Sequence, residues 1–440
     1  MTADAWLAGL EADVPGEALS AELEAWRDAL PGALREVANR IVSAGGGIWL
    51  VGGSVREALL GRGENDHDLA TTLHPDEVLE IFPRALPTGV AYGTVTVRLT
   101  GEDLQFEVTS LRSEGSYGDG RRPDRVVFGE SLHEDLSRRD FTINSIAIDL
   151  ARGLIHDPFD GRADLTAMRL RAVGEASERL GEDGLRLLRA YRFMDQGDRG
   201  VWQPDAALAN ALIEHRSMLE MVANERVWAE FRRILVGPNA PAVLERMRID
   251  GMLSRILPGW GADLAAQHAL EAPQDDVAAC RLVLLASEIE HARWRRIEHD
   301  LRALTLSNRE RGRIMGLHRL LGHLPHDEAE CRRYRVGAGD LLESHLCVEA
   351  VLRPEQSRTV REALAALPPL AAGPSPLVDG HALASATDLP MGRRLGQLKS
   401  WLHRMQIELD LGEVTEVIGL LDVIDWKTSD PEAWPGPQWP

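Results

Sequence analysis

The residues with most chemical potential in this chain are three carboxylates and a pair of glycines in its first 110 positions. Asp66-His-Asp68 sets two carboxylates at i and i+2. On a strand these leave one face together, while His67 and Leu69 leave the other. Two carboxylates that close repel each other unless a cation sits between them. Hard Mg2+ favours such oxygen ligands and keeps its other positions for water and substrate phosphate. A third acid, Glu107, lies in Leu104-Gln-Phe-Glu-Val-Thr109, where Leu104, Phe106 and Val108 make an apolar face and Gln105, Glu107 and Thr109 the other. Upstream, Leu50-Val-Gly-Gly-Ser-Val-Arg56 reads as a strand, a two-glycine turn and a helix start. Gly52 and Gly53 let backbone approach a ligand, free N–H groups there favour phosphate, and Arg56 in the first turn could grip the same anion. Singly, each has a plainer reading: a tight turn, a solvated loop, a strand acid facing water. Together they suggest two-metal nucleotidyl transfer, with one cation acidifying an attacking 3′-hydroxyl and the other holding a triphosphate. No Gly-Lys-Ser/Thr loop of the P-loop type is present.

These residues need strands to carry them. Ile48–Val51 is a short buried run, and Thr94–Leu99 and Leu104–Thr109 alternate with period two. Before about residue 33 the chain is rich in Ala, Glu and Leu and reads as one or two amphipathic helices. Beyond about residue 165 helix-length amphipathic segments dominate, broken at Gly237-Pro238, Pro258-Gly259, Pro368-Pro369 and Gly373-Pro374. The last residues, Trp434 to Pro440, read as a loose tail. The expected fold is α+β: a small mixed-sheet head followed by an all-helical neck, body and tail.

Composition bounds the rest. A chain of 440 residues exceeds one compact core, and 44% hydrophobic with 27% charged residues is ordinary globular composition. No apolar stretch approaches the ~20 residues of a membrane span, and the start shows no basic region followed by an apolar run, so a cytoplasmic protein without membrane partners is expected. Cys280, Cys331 and Cys347 are too scattered for a disulfide framework or a zinc site. The net charge of −20 excludes whole-molecule attraction to nucleic acid. Only a local basic surface could hold a polyanion, and all but two of the 49 cationic residues are arginine, the exceptions being Lys399 and Lys427. Cationic contacts to phosphate would therefore be arginine forks.

Five segments together resemble a known family. Leu50–Gly61 with Asp66–Thr71 resembles the first motif of class II tRNA nucleotidyltransferases, the CCA-adding enzymes and bacterial poly(A) polymerases of the polymerase β superfamily. Arg138-Arg-Asp-Phe-Thr-Ile-Asn144 is similar to their second motif, and Asp157-Pro-Phe-Asp-Gly161 to the segment after it. Glu182-Asp-Gly-Leu-Arg-Leu-Leu-Arg-Ala-Tyr-Arg192 resembles their base-reading motif, and Glu225-Arg-Val-Trp228 their neck. Asp379–Leu383 with Gly396 is a weaker match to the tail.

The resemblance implies stepwise addition of C, C and A to the tRNA 3′ end from CTP and ATP, without a nucleic-acid template and with release of pyrophosphate. It implies Mg2+ on Asp66 and Asp68, with Glu107 helping to activate the primer hydroxyl. Gly53, Arg56, Arg139, Asp140 and Asn144 would contact the nucleotide. Asp183 and Arg186, three apart and so on one face if helical, would read the base. A carboxylate accepting an exocyclic amine and a guanidinium donating to the adjacent ring nitrogen suit cytosine and adenine; guanine and uracil present the inverse. Arg189 and Arg192 extend that stripe toward the phosphates. The implied division is an N-terminal helical extension (1–33), a nucleotidyltransferase head (34–165), a neck (166–235), a body (236–330) and a tRNA-binding tail (331–440). The Gly- and Arg-rich segment 112–125 is similar to the family's flexible loop, which relatives adding only CC lack.

The sequence departs from the pattern at Glu57, where the family has Asp, and at Gly184, where it has Pro. Arg293, Arg295, Arg296, Arg302, Arg309, Arg311 and Arg313 form the densest basic stretch, either a tRNA-backbone surface or a solvated helix face. His-Asp pairs at 156–157, 299–300 and 326–327 lack the ligand spacing of a metal phosphohydrolase and read as ordinary. An A-adding specialist or a poly(A) polymerase remains within the same chemistry, and a non-catalytic RNA-binding protein is the alternative from another class.

Overall fold

The computed structural model describes the chain except residues 1–4, 64–66, 91–92, 100, 102–103, 115–125 and 262–263, and except the side chains of 113, 114, 126 and 127. Asp66 and most of the Gly- and Arg-rich segment therefore lie outside the described residues. Backbone contacts divide the chain into two compact units, residues 1–256 and 257–440.

The first unit is built on an eight-stranded sheet in the order β1-β10-β9-β2-β3-β6-β5-β4. Its strands are β1 (Glu17–Ala18), β2 (Ile48–Val51), β3 (Asp68–Thr71), β4 (Leu86–Gly89), β5 (Thr94–Arg98), β6 (Gln105–Ser110), β9 (Ala147–Asp149) and β10 (Leu154–His156). Only β3 and β6 run parallel in this sheet; every other neighbouring pair is antiparallel. The arms of the Gly- and Arg-rich segment, β7 (Arg112–Glu114) and β8 (Val126–Phe128), pair as a separate antiparallel ribbon. A core of Trp49, Val51, Ala70, Ala147, Leu132 and Leu136 packs between the sheet and α5 (Leu132–Ser137), and Val14 of the N-terminal segment belongs to it.

The N-terminal segment is less helical than its composition predicts. It contributes α1 (Ala21–Asp28), but Glu17 and Ala18 add an edge strand to the sheet instead of continuing a helix. A proline and a glycine at 15 and 16 stop any helix there. Other helices of this unit are α2 (Gly32–Ser43), α3 (Gly53–Leu59), α4 (Pro75–Ile81), α6 (Gly161–Thr166), α7 (Ala176–Glu182), α8 (Leu185–Met194), α9 (Ala206–Glu214), α10 (Asn224–Leu235), α11 (Ala240–Ile249) and α12 (Leu253–Ile256). The strand pattern does not end at residue 165, since Arg169–Leu170 and Gln203–Pro204 form a short parallel pair, β11 and β12.

The second unit is helical among its described residues, from α13 (Val277–Leu285) through α14 (Trp294–Ala303), α15 (Asn308–Leu320), α16 (Glu328–Ala338), α17 (Leu342–Leu352), α18 (Pro354–Ala366), α19 (Gly380–Thr387), α20 (Arg393–Leu409) and α21 (Val414–Gly419). The expected loose tail is corrected. Trp439 is 5% exposed, packs with Leu320, Tyr334 and Leu346, and donates its indole N–H to the His323 carbonyl at 2.8 Å. A side chain on Gly337 would collide with it, which is why α16 carries glycine there. Pro and Gly spacing signals irregular backbone, not absence of packing. Among the described residues no helix is long and apolar enough to cross a membrane.

Candidate active site

The two-glycine turn is built for close approach. Gly52 adopts φ +73, ψ −132, a conformation that residues with a side chain avoid. A Cβ there would lie 3.3 Å from Arg139 Nη1 and 3.4 Å from Asp68 Oδ2. Gly52 thus brings a guanidinium and a carboxylate to one backbone turn, with Gly53 opening α3 beside it. Sequence reasoning singled out Gly53 as the contact; the geometry gives the constraint to its neighbour.

Asp68 begins β3, and its register partner on β6 is Glu107. Registered neighbours on adjacent strands project from the same face, so the sheet brings these two carboxylates together. His67 and Leu69 are buried, as the alternation requires. Among the described residues no cluster of three His, Cys, Asp or Glu side chains is placed to hold a metal ion. Asp68 and Glu107 supply two hard oxygen groups on one face, a donor set that suits a divalent cation, and Asp66 lies outside the description.

Arg139 is positioned by a buried acid that sequence reasoning missed. Asp135 of α5, 1% exposed, accepts from Arg138 Nε at 2.9 Å and Arg139 Nη2 at 3.0 Å. Burial pushes its carboxyl up, but the Arg138 and Arg139 guanidiniums outweigh burial and hold it below the usual carboxylate range. The i, i+3 and i, i+4 spacing was the available signal.

Asp140, Asn144, Arg56, Arg189 and Arg192 meet in one network. Asp140 accepts from Asn144 Nδ2 at 3.1 Å and from Arg189 Nε at 2.7 Å. Burial pushes the Asp140 carboxyl up, but Arg189, Asn144 and Arg186 together bring it down to about 2. Arg56 donates to the Asn144 side-chain oxygen. Glu230 of α10, unnoticed in the sequence, accepts from Arg192 Nε at 2.7 Å and Arg233 Nη1 at 3.2 Å. Beneath them, the ring of Phe193 carries three guanidiniums, those of Arg192, Arg56 and Arg189 at 4.1, 4.9 and 5.3 Å from its centroid. A cavity of about 270 Å3 opens among Arg56, Arg62, Arg192, Phe193 and Arg233. Glu57, the longer acid, accepts from both Arg56 Nε at 2.9 Å and Arg62 Nη1 at 3.3 Å.

The expected helical pairing of Asp183 with Arg186 is corrected. α7 ends at Glu182, and Asp183 is extended, at φ −146, ψ 110, before α8 begins. Its Oδ1 accepts from the Leu185 N–H at 2.9 Å and its Oδ2 from Arg226 Nη2 at 2.9 Å. Arg186, 8% exposed, binds Glu182 and donates to the Arg179 carbonyl at 2.8 Å and the Arg138 carbonyl at 3.0 Å. The two groups flank a helix break instead of sharing a helix face. Gly184 explains the break's departure from proline: a Cβ there would lie 2.6 Å from the Met218 carbonyl oxygen, so only glycine fits.

Sequence comparisons accord with this arrangement. A family model described as the Poly A polymerase head domain matches residues 48–171, and one described as a probable RNA and SrmB-binding site of polymerase A matches 203–264. A CCA-adding enzyme of Enterococcus faecalis is 35% identical over 88% of this chain and 95% of its own length. The chain belongs to the CCA-adding enzyme family. A Lactobacillus johnsonii CCA-adding enzyme is 32% identical over 84% of this chain and 92% of that protein. Among solved structures, the Bacillus stearothermophilus CCA-adding enzyme in complex with CTP superposes with a TM-score of 0.69 and 27% identity, covering 88% of this chain and 96% of that one. A Thermotoga maritima CCA-adding enzyme complexed with tRNA shares the fold, with a TM-score of 0.64 at 18% identity over 93% of this chain and 99% of the other.

Two remaining sequence features have partners within the fold. In the basic stretch of the second unit, Arg302 pairs with Glu298 at 2.7 Å and Arg293 with Glu290 at 3.6 Å on the same stretch of chain, Arg313 binds the more distant Asp276 and Asp340, and Arg295 lies over the Trp294 ring. The His-Asp pairs serve packing and caps. Asp157 accepts the Gly161 N–H at 2.7 Å, Asp300 accepts the Trp260 indole at 2.9 Å, and Asp327 caps α16.

Proposed function

We propose that the protein extends the tRNA 3′ end by C, C and A from CTP and ATP, without a nucleic-acid template and with release of pyrophosphate. The observation that carries this reading is the convergence of Gly52, Asp68 and Arg139 on one turn, with Glu107 in register beside Asp68. A nucleotidyl transferase needs paired carboxylates next to a cationic phosphate grip, and Asp68 with Glu107 on one face and Arg139 at the Gly52 turn support that reading.

Asp66 and Asp68 would hold Mg2+, which when bound lowers the pKa of the primer hydroxyl and neutralises developing charge on the leaving pyrophosphate. Glu107, exposed on its strand, would help activate the primer 3′-hydroxyl. Arg139, Arg56 and Asn144 would orient the triphosphate and ribose through fork and amide hydrogen bonds. Asp140 stays ionised across the working pH range and keeps Arg189 and Asn144 in place. Asp183 would accept the exocyclic amine of C or A while Arg186 donates to the neighbouring ring nitrogen. The Asp183 carboxylate already accepts from Leu185 N–H and Arg226, and the base amine would use its remaining acceptor capacity. The neck (166–235), body (236–330) and tail (331–440) would hold the tRNA, and the cytoplasm is the compartment assigned.

The experiment offers two tRNA transcripts, one ending at the discriminator base and one in CC, with CTP, ATP or both and Mg2+. Three additions to the first, then a stop, are expected. One A added only to the CC-ended transcript would make this an A-adding enzyme, and an unlimited ladder with ATP a poly(A) polymerase. Asp68→Ala should lower incorporation by about 10²–10³-fold, the scale of removing one charge-stabilising group. Wild-type protein that binds tRNA yet extends neither transcript would leave the non-catalytic alternative standing.

A further inference from the structure

The nucleotidyl-transfer reading gives the first nineteen residues no task, yet they are tied to the head along their described length. Asn39 receives the Leu7 N–H at 2.7 Å and donates to the Ala5 carbonyl at 2.9 Å. Arg152 Nη2 donates to the Gly9 carbonyl at 2.7 Å. Val14 is buried in the same core as Leu132 and Leu136 of α5, and its carbonyl meets His156 Nδ1 at 3.0 Å. β1 then closes the sheet edge on β10, and Glu17 pairs with Arg162 at 2.7 Å.

The point of contact with the site is Asp13. Its Oδ2 accepts the Ser131 hydroxyl at 2.5 Å and its Oδ1 the His133 N–H at 3.2 Å. Ser131 is the N-cap of α5, and its Oγ accepts the Glu134 N–H at 3.0 Å. Asp13 therefore completes the cap from another segment and sets a negative charge at the helix start, where the backbone dipole favours it. One turn further, the same helix carries Asp135, which holds Arg139. Arg139 in turn sits against Gly52, the glycine that the Asp68 carboxylate also approaches.

We propose that the N-terminal segment is a strap in which Asp13 fixes α5 and so aims Arg139 into the nucleotide site. Asp13 touches no substrate; it is a positioning residue acting through α5 and Asp135. Burial pushes its carboxyl up, but hydrogen bonds from Ser131 and the backbone at 132–133 hold it below the ordinary range, so the cap is charged at neutral pH. The strap's role in nucleotide binding rests on the function proposed above, while its grip on α5 does not.

The test has two arms on the full-length chain. Hydrogen exchange of residues 131–139 should accelerate in Asp13→Ala, with 185–194 unchanged, and return only part of the way in Asp13→Asn, which keeps the Oδ1 acceptor but loses the charge and the Ser131 bond. Unchanged exchange at 131–139 in Asp13→Ala overturns the strap. CTP affinity, measured by titration, should fall about five-fold in Asp13→Ala, the scale of one lost cap interaction. It should fall no further when Asp13→Ala is added to Arg139→Ala. A full second loss in that double variant shows that Asp13 acts elsewhere and overturns the coupling to Arg139. Wild-type protein that fails to bind CTP sinks the nucleotidyl-transfer reading alone, and the exchange arm still decides the strap.

Discussion

The arginines around the site in the first unit and those of the basic stretch 293–302 in the second are used in different ways. In residues 1–256, Arg56, Arg186, Arg189 and Arg192 reach partners 38 to 88 positions away, namely Asn144, the Arg138 carbonyl, Asp140 and Glu230. In the basic stretch of residues 257–440, Arg293 and Arg302 pair with acids three or four residues off on the same stretch of chain. Long-range pairs lock separate elements into one geometry, which a reacting site requires. Exposed local pairs solvate and support a helix and add little beyond it. Arg313 departs from that local pattern, clamping Asp276 and Asp340, and elsewhere in the second unit Arg333 reaches Glu408 at 3.1 Å and Arg393 reaches Glu432 at 2.9 Å.

That contrast can be broken by deletion. Arg189→Ala leaves the buried Asp140 short of its main counter-charge and should cost about 3–5 kcal/mol, the range for opening a buried pair. Arg302→Ala, on an exposed helix pair, should stay within about 0.5 kcal/mol. Urea unfolding of both variants checks the difference, and equal losses would mean that the long-range network contributes no more than a surface pair.

Trp439 sharpens the comparison from the other side, because the second unit owes its integrity to apolar packing. Trp439→Ala should cost about 3 kcal/mol, toward the low end for a buried tryptophan because a terminal segment lets its neighbours relax. The loss should appear as faster hydrogen exchange in α15 and α16. Unaltered exchange there would restore the loose tail that the Pro- and Gly-rich sequence suggested.

The smallest expected effect is a difference in acid response. His318 is held below the ordinary imidazole range by burial and by His291; His323 is held below it by burial, His291 and His345, against an opposing pull from Glu349. A histidine lowered in the folded state takes up more protons when unfolded. Its contribution is complete above about pH 6.5 and shrinks as the pH falls below that. Asp140 is lowered to about 2 from 3.8, so its contribution is complete above about pH 4 and is lost only on approach to pH 2. Between pH 7.5 and 5.5, protection factors, corrected for the intrinsic pH dependence of exchange, should fall around residues 318–323 while those of residues 140–144 and 189 hold. Replacing both histidines with glutamine should flatten that response; a response surviving the replacement would assign it to other groups.

Much of the site was legible because its residues follow local rules. Asp68, Glu107 and the glycine turn sit in short strand and turn patterns whose periodicity states which side chains share a face, and β3 and β6 deliver that face. Asp135 was equally readable from its spacing to Arg138 and Arg139, and was missed only because an acid near arginines has so many plainer readings. Asp183 misled for the opposite reason. A helical spacing is drawn from neighbours in sequence, whereas Asp183 is extended and bound by Arg226, 43 residues on, and Gly184 packs against the Met218 carbonyl. Arg226 and Glu230 are partners across helices, and no periodicity along one helix can name a residue on another.

By itself the sequence determined the chemistry available: carboxylates in pairs, arginine as the sole phosphate grip in the head, and the order of motifs that places the chain in its family. Those are properties of residue type and local spacing, which short-range backbone geometry conserves. The tertiary structure decided which of these groups meet. It brought Arg139 to Gly52, set Asp140 between Asn144 and Arg189, turned Asp183 toward Arg226, and tied the N-terminal segment to α5 through Asp13. Such meetings depend on how buried apolar faces pack elements distant in sequence, and that packing is a property of the whole fold.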